Sequence, residues 1–164
     1  MEFTLAFLAV DRLSFSSLDN GFMFIYIGFV LAMVQGGVVR RKASQVGEKK
    51  MAIMGLITIV PGLFILAHCY STMMLYLGLT FLAIGSAMAV PCLTSLVSLY
   101  SPDDAQGQAI GLFRSLGALS RVLGPFIAAV IYWKLGASYA YYLGGFFLII
   151  PIILLIKLPK PVNS

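Results

Sequence analysis

The sequence predicts an all-α membrane protein with about five full transmembrane helices and a partial one before them. Three observations predict it. First, 60% of the 164 residues are hydrophobic and 10% are charged, with a mean hydropathy of +0.99. A soluble domain carries about a quarter charged residues, so lipid is the expected solvent. Second, apolar runs recur at lengths that cross a bilayer. Third, a short basic connection separates two of them, which is a topology signal.

The elements follow in order. Residues 1–10 are apolar after Glu2 but rise only about 14 Å as a helix, against a hydrocarbon core of about 30 Å. This half-span, ending at Asp11-Arg12, reads as the outer end of a helix, and the chain is expected to begin in the middle of a transmembrane span. The start lacks a basic n-region and a cleavage site, so no signal peptide is expected. Residues 22–39, 51–67, 73–100, 105–133 and 137–156 are the full spans. Backbone groups in lipid must bond internally, so each is a helix. Pro61, Pro91, Pro125 and Pro151 fall inside these runs, and proline kinks are tolerated there when neighbours re-satisfy the freed carbonyls.

The connections differ in charge. Residues 40–50 hold Arg40, Arg41, Lys42, Lys49 and Lys50 against a single acid, Glu48. That side is expected in the cytoplasm. Threading the spans puts Ser101-Pro102-Asp103-Asp104 and the C-terminus, with Lys157 and Lys160, on the same side. Pro102 with the two aspartates reads as a helix start. Tyr132, Trp133, Tyr139, Tyr141 and Tyr142 read as an aromatic belt at the opposite interface.

The net charge of +5 does not point to nucleic acid, because the basic residues cluster in one connection rather than along an exposed face. Cys69 and Cys92 lack ligand spacing and read as small buried hydrophobes. His68 is the only histidine and sits at a helix end, where an interfacial role is expected. No nucleophile–base constellation, metal cluster or cofactor motif appears, so an enzyme is not expected.

One helix carries charge inside its apolar run. At about 100° per residue, Gly107, Gly111, Arg114, Ala118, Arg121 and Pro125 share one side, and Leu112, Leu116, Leu119, Leu123, Ile127 and Val130 the other. An arginine facing lipid at a helix centre costs roughly 3 kcal/mol. The cationic side therefore faces protein or a watery cavity. Arg114 lies about 13 Å into the helix and Arg121 about 24 Å, so only Arg121 snorkels with ease. Two readings of Arg114 stand: contact with an anionic solute, or a structural pair with Glu2. For Arg121 the second reading is an interface anchor. Thr94, Ser95 and Ser98 follow Pro91 on the long 73–100 helix, as packing or as cavity lining.

These motifs carry a resemblance. Gln35-Gly36-Gly37-Val38-Val39-Arg40-Arg41-Lys42 resembles the glycine-then-basic connection between the eighth and ninth helices of major facilitator superfamily transporters. Gln106-Gly107-Gln108-Ala109-Ile110-Gly111, closing at Gly124-Pro125, is similar to that family's G-x-A-x-G … L-G-P helix. E-F-T-L, V-P-C-L-T-S-L, R-S-L-G-A-L-S-R and I-Y-W-K-L-G-A, in that order, look like its tetracycline-transporter-like branch in animals. The resemblance implies a twelve-helix fold of which this chain forms the C-terminal six-helix half, with 1–10 as the outer end of helix seven. It implies as partners a lipid bilayer, a small organic solute (an organic anion or a drug) and the missing N-terminal six-helix half. It implies alternating access, and it places Glu2, Arg114, Arg121, Thr94 and Ser95 near the solute path. Gly36, Gly37, Arg40, Arg41, Pro91, Gly107, Gly111, Gly124 and Pro125 become conformational positions. A truncated, non-transporting membrane fragment or scaffold is the alternative.

Overall fold

The computed structural model describes residues 2–159, with side chains throughout that range except at residues 2–4, 44 and 137. The described residues form helices and short connections. Helix α1 spans Glu2–Leu13 and α2 spans Ser17–Val34. Between them Ser14 adopts φ 53°, in the left-handed region. The Ser14 and Phe15 amides donate to the Val10 and Ala9 carbonyls, closing α1. Ser16 then opens α2: its side chain accepts from the Asp19 amide at 3.3 Å, and the Asp19 carboxylate accepts from the Ser16 amide at 2.9 Å. That reciprocal pair satisfies donors a helix start leaves orphaned.

The basic stretch after α2 is helical rather than a loop. Gln35–Val39 form one π-helical turn, and α3 continues over Arg40–Val46. Arginine and lysine are good helix formers, so the chain runs on until Gly47, at φ 88°, reverses it. The widened turn falls on Gly36-Gly37, where no side chain resists it.

Helix α4 (Glu48–Ala67) and α5 (Thr72–Leu99) make the tightest pair. Glycines set this packing. A Cβ added at Gly85 would stand 2.5 Å from the Gly55 carbonyl oxygen, and one at Gly62 would stand 2.9 Å from the Gly78 carbonyl oxygen. The two backbones touch at two levels, as small residues permit in lipid. Leu63, Leu66, Leu75 and Leu79 are fully buried around this contact.

Helix α6 runs over Gln106–Leu135. Asp103 and Asp104 precede it instead of occupying its first turn, because the Ala105 amide donates to the Pro102 carbonyl and closes a separate turn first. Helix α7 (Ala137–Phe147) and α8 (Ile149–Lys157) divide the last span at Leu148. Pro151, which has no amide to donate to the Phe147 carbonyl, falls just after this break. Pro61, Pro91 and Pro125 leave their helices continuous.

The segments Ser17–Ala43, Glu48–Ala67, Thr72–Leu99, Gln106–Leu135 and Ser138–Lys157 are long and apolar enough to cross a membrane. The protein is a multi-pass membrane protein. Two sets of contacts mark its two ends. At one, the Lys49 ammonium donates to the Ile156 and Leu158 carbonyls at 3.1 and 2.5 Å, and the Tyr100 hydroxyl donates to the Pro159 carbonyl. At the other, residues 11–12 of α1 meet the end of α4, the end of α6 and the start of α7.

Candidate solute path and helix-end clasp

Helix α6 has no buried residue. Gly107, Gly111 and Gly124 have open space where a side chain would stand. Its half-buried positions, such as Ala109, Ile110, Phe113 and Gly117, form the stripe that leans on the bundle. The side carrying Arg114 and Arg121 lies beside that stripe, uncovered by the described residues. The leucine side of α6 is exposed as well, as at Leu112 and Leu116, so α6 is open around most of its girth, whereas the glycines of α4 and α5 close a contact.

Arg114 is exposed and makes no hydrogen bond or ion pair among the described residues. Arg121 is exposed too, and its Nε donates to the Gly117 carbonyl at a long 3.4 Å. That bond folds the side chain back toward the helix N-terminus, the direction helical side chains take. Glu2 opens α1, but its side chain lies outside the described residues, as does any pairing with Arg114.

Thr94 donates to the Val90 carbonyl at 3.1 Å within its own helix, so its hydroxyl is already engaged. Ser95 is half-buried and makes no side-chain bond among the described residues. Ser98 donates to Gln106 Oε1 at 3.2 Å, and Gln106 Nε2 donates to Asp103 Oδ1 at 3.1 Å. This chain fastens the α5–α6 turn. Neither Thr94 nor Ser95 is joined to either arginine by a hydrogen bond.

Two further polar features escape the sequence. Tyr26 of α2 and Thr80 of α5 are 2.7 Å apart through their hydroxyl oxygens. Thr80 also donates to the Tyr76 carbonyl at 2.7 Å, and the Tyr26 and Tyr76 rings meet edge-on at 5.0 Å. A hollow of about 190 Å³ lies on the same helices and α1, lined by Leu5, Ile27, Leu31, Leu79 and Ser86 among others.

The second feature joins four spans at one end. The Arg12 guanidinium donates to the Ala67 carbonyl at 3.1 Å, the Cys69 carbonyl at 3.2 Å and Ser138 Oγ at 3.0 Å. It also sits 5.0 Å from the centre of the Tyr70 ring. The Ser138 hydroxyl in turn donates to the Ala67 carbonyl at 2.7 Å. The Tyr132 hydroxyl donates to Asp11 Oδ2 at 2.8 Å. Nearby, the Tyr142 hydroxyl and His68 Nε2 are 2.8 Å apart. Burial pushes the Cys69 thiol up from its ordinary pKa, against a weaker opposing pull from the Arg12 charge. The expected aromatic belt is thus partly consumed. Trp133 and Tyr139 are exposed, Tyr141 is buried, and Tyr132 and Tyr142 serve hydrogen bonds.

The sequence profile of the Major Facilitator Superfamily matches residues 3–164. The chain belongs to the Major Facilitator Superfamily. Within that superfamily it is 37% identical over 165 residues to the mouse "Major facilitator superfamily domain-containing protein 10", and 37% over 164 residues to the human protein of that name. Each alignment covers 100% of this chain and 36% of the relative. The chain is also 30% identical over 122 residues to the Escherichia coli "Tetracycline resistance protein, class E", covering 74% of this chain and 30% of that protein. The crystal structure of the human organic anion transporter MFSD10 superposes with a TM-score of 0.88 at 38% identity, over 94% of this chain and 36% of that one. The chain thus spans about a third of the length of the superfamily relatives it matches. These relatives are transport and resistance proteins by name, not enzymes.

Proposed function

We propose that this chain is the C-terminal half of a secondary transporter that carries small organic anions across a membrane by alternating access. The observation that carries the reading is the open side of α6. Two guanidiniums stand there, inside a helix that crosses the membrane, with no acid bonded to either among the described residues. A cation at that depth calls for a watery cavity and an anionic partner. The human structural neighbour, titled an organic anion transporter, supports the same solute class.

In this reading Arg114 is the main anion contact and Arg121, at the middle of Gln106–Leu135, a second one. Glu2, Thr94 and Ser95 border the path. Gly107, Gly111, Gly124 and Pro125 keep the α6 face thin enough for a solute to lie against it. Pro91 and the π-turn at Gly36-Gly37 are points of bending, and Arg40 and Arg41 anchor the end of α2 at the cytoplasmic surface.

The second reading is a truncated, non-transporting membrane fragment or scaffold. One experiment separates the two. Proteoliposomes holding this chain joined to a six-helix N-terminal half should show saturable uptake of an amphipathic organic anion, and this chain alone should show none. Flux equal to that of empty liposomes from the joined protein, folded and inserted, would exclude transport.

A further inference from the structure

Asp11 and Arg12 are neighbours of opposite charge, yet neither is spent on the other among the described residues. Asp11 accepts from Tyr132 of α6, and Arg12 donates to the end of α4 and the start of α7. The Ala67 and Cys69 carbonyls lie at the C-terminal end of α4, where a helix leaves acceptors unpaired and its dipole favours a cation. Every acceptor of Arg12 is neutral, so its charge binds a helix end rather than a carboxylate.

Among the described residues, α1 rests on the bundle through few side chains. Its buried side chains are Leu5, Leu8 and Ala9. At its end Leu13, and Phe15 just beyond it, pack partly buried against the core, and the bonds of residues 11 and 12 add the polar attachments.

We propose that Asp11 and Arg12 form a clasp that makes the end of α1 move as one body with α4, α6 and α7, and that Arg12 is a positioning residue on which turnover, rather than solute affinity, depends. The kinetic half of this statement rests on the transport reading; the mechanical half does not. When access alternates, a helix bordering the path must follow its own half of the molecule. A loosened α1 would slow the conformational step and leave the solute contacts on α6 in place.

The test uses the chain joined to its N-terminal half, with spin labels at Val10 and Tyr139, both of them exposed. The parent protein should give one narrow distance distribution. Arg12→Gln should broaden it about twofold and lower maximal flux of an organic anion about tenfold, with KM changed by less than about threefold. Arg12→Lys should recover part of both, since a compact ammonium reaches fewer of the acceptors. Ser138→Ala and Tyr132→Phe each remove one strand of the clasp and should broaden the distribution less. They carry the test if Arg12→Gln fails to insert. An unchanged distribution in the folded variants would overturn the clasp. A rise in KM matching the fall in flux would overturn the positioning role and make Arg12 a solute contact. A parent protein with no flux and a narrow distribution that Arg12→Gln broadens would refute transport and leave the clasp standing.

Discussion

At the scale of single residues, Arg114 and Arg121 differ in what already holds them. Arg121 leans on the Gly117 carbonyl, whereas Arg114 has no such bond among the described residues. Arg114→Gln in the joined transporter should therefore lower saturable anion flux about 10–100-fold, the loss of one or two charge-assisted hydrogen bonds. Arg114→Lys should keep the charge, lose the bidentate fork and recover part of the flux. Arg121→Gln should cost less. Flux measured beside thermal stability separates the remaining structural reading: if Arg114 pairs with Glu2, Arg114→Gln is unstable and the double variant with Glu2→Gln regains stability. Normal flux with normal stability in Arg114→Gln would dismiss both roles. The two arginines were legible in the sequence because a charge inside an apolar run has few inexpensive places to point. Arg12 was not. Its acceptors are backbone carbonyls 55 and 57 residues away and a serine 126 residues away, and nothing local marks a carbonyl as the end of another helix.

At the scale of elements, the α4–α5 pair is the most constrained contact. Gly85 faces the Gly55 carbonyl and the Ile59 side chain, each 2.5 Å from where its Cβ would stand. Backbone cannot turn aside as a flexible side chain can. Gly85→Val should therefore force the helices apart and destabilise the protein by about 3 kcal/mol, at the upper end of core overpacking. Gly111→Val on α6, where the space is open, should leave the melting temperature in detergent nearly unchanged. Equal effects of the two substitutions would show that the glycine contact does not set the packing. The spans themselves were readable from apolar length. Their interruptions were less so. Pro151 coincides with a break, and Pro61, Pro91 and Pro125 do not, because the outcome depends on which neighbours hold the turn and not on the proline alone. The helical run over Arg40–Val46 escaped notice because charge marks a membrane boundary without saying whether the backbone stays coiled beyond it.

At the scale of the whole molecule, the threading of spans agrees with contacts at both ends. Lys49 reaches the end of α8, and Tyr100 reaches Pro159, so the starts and ends expected to share a side do share one. Lys160 lies outside the described residues. The lysines and arginines at 40–50 predict a cytoplasmic side: cysteines placed at Lys50 and Ser101 should react with an impermeant maleimide only from the cytoplasmic face, and one at Trp133 only from the opposite face. Labelling of Lys50 and Ser101 from different faces would break the threading. The bundle was legible as a count and an order of spans. The open side of α6 was legible only as a pattern, since what covers it is not written in these residues. The hold of Lys49 and Tyr100 on the last turn of α8 has a practical consequence. Leu158 and Pro159 are fastened from two separate helices. A fluorescent reporter or an electron-microscopy fiducial grafted at Leu158 would ride with the bundle as a pointer on a dial, registering the tilt of this half.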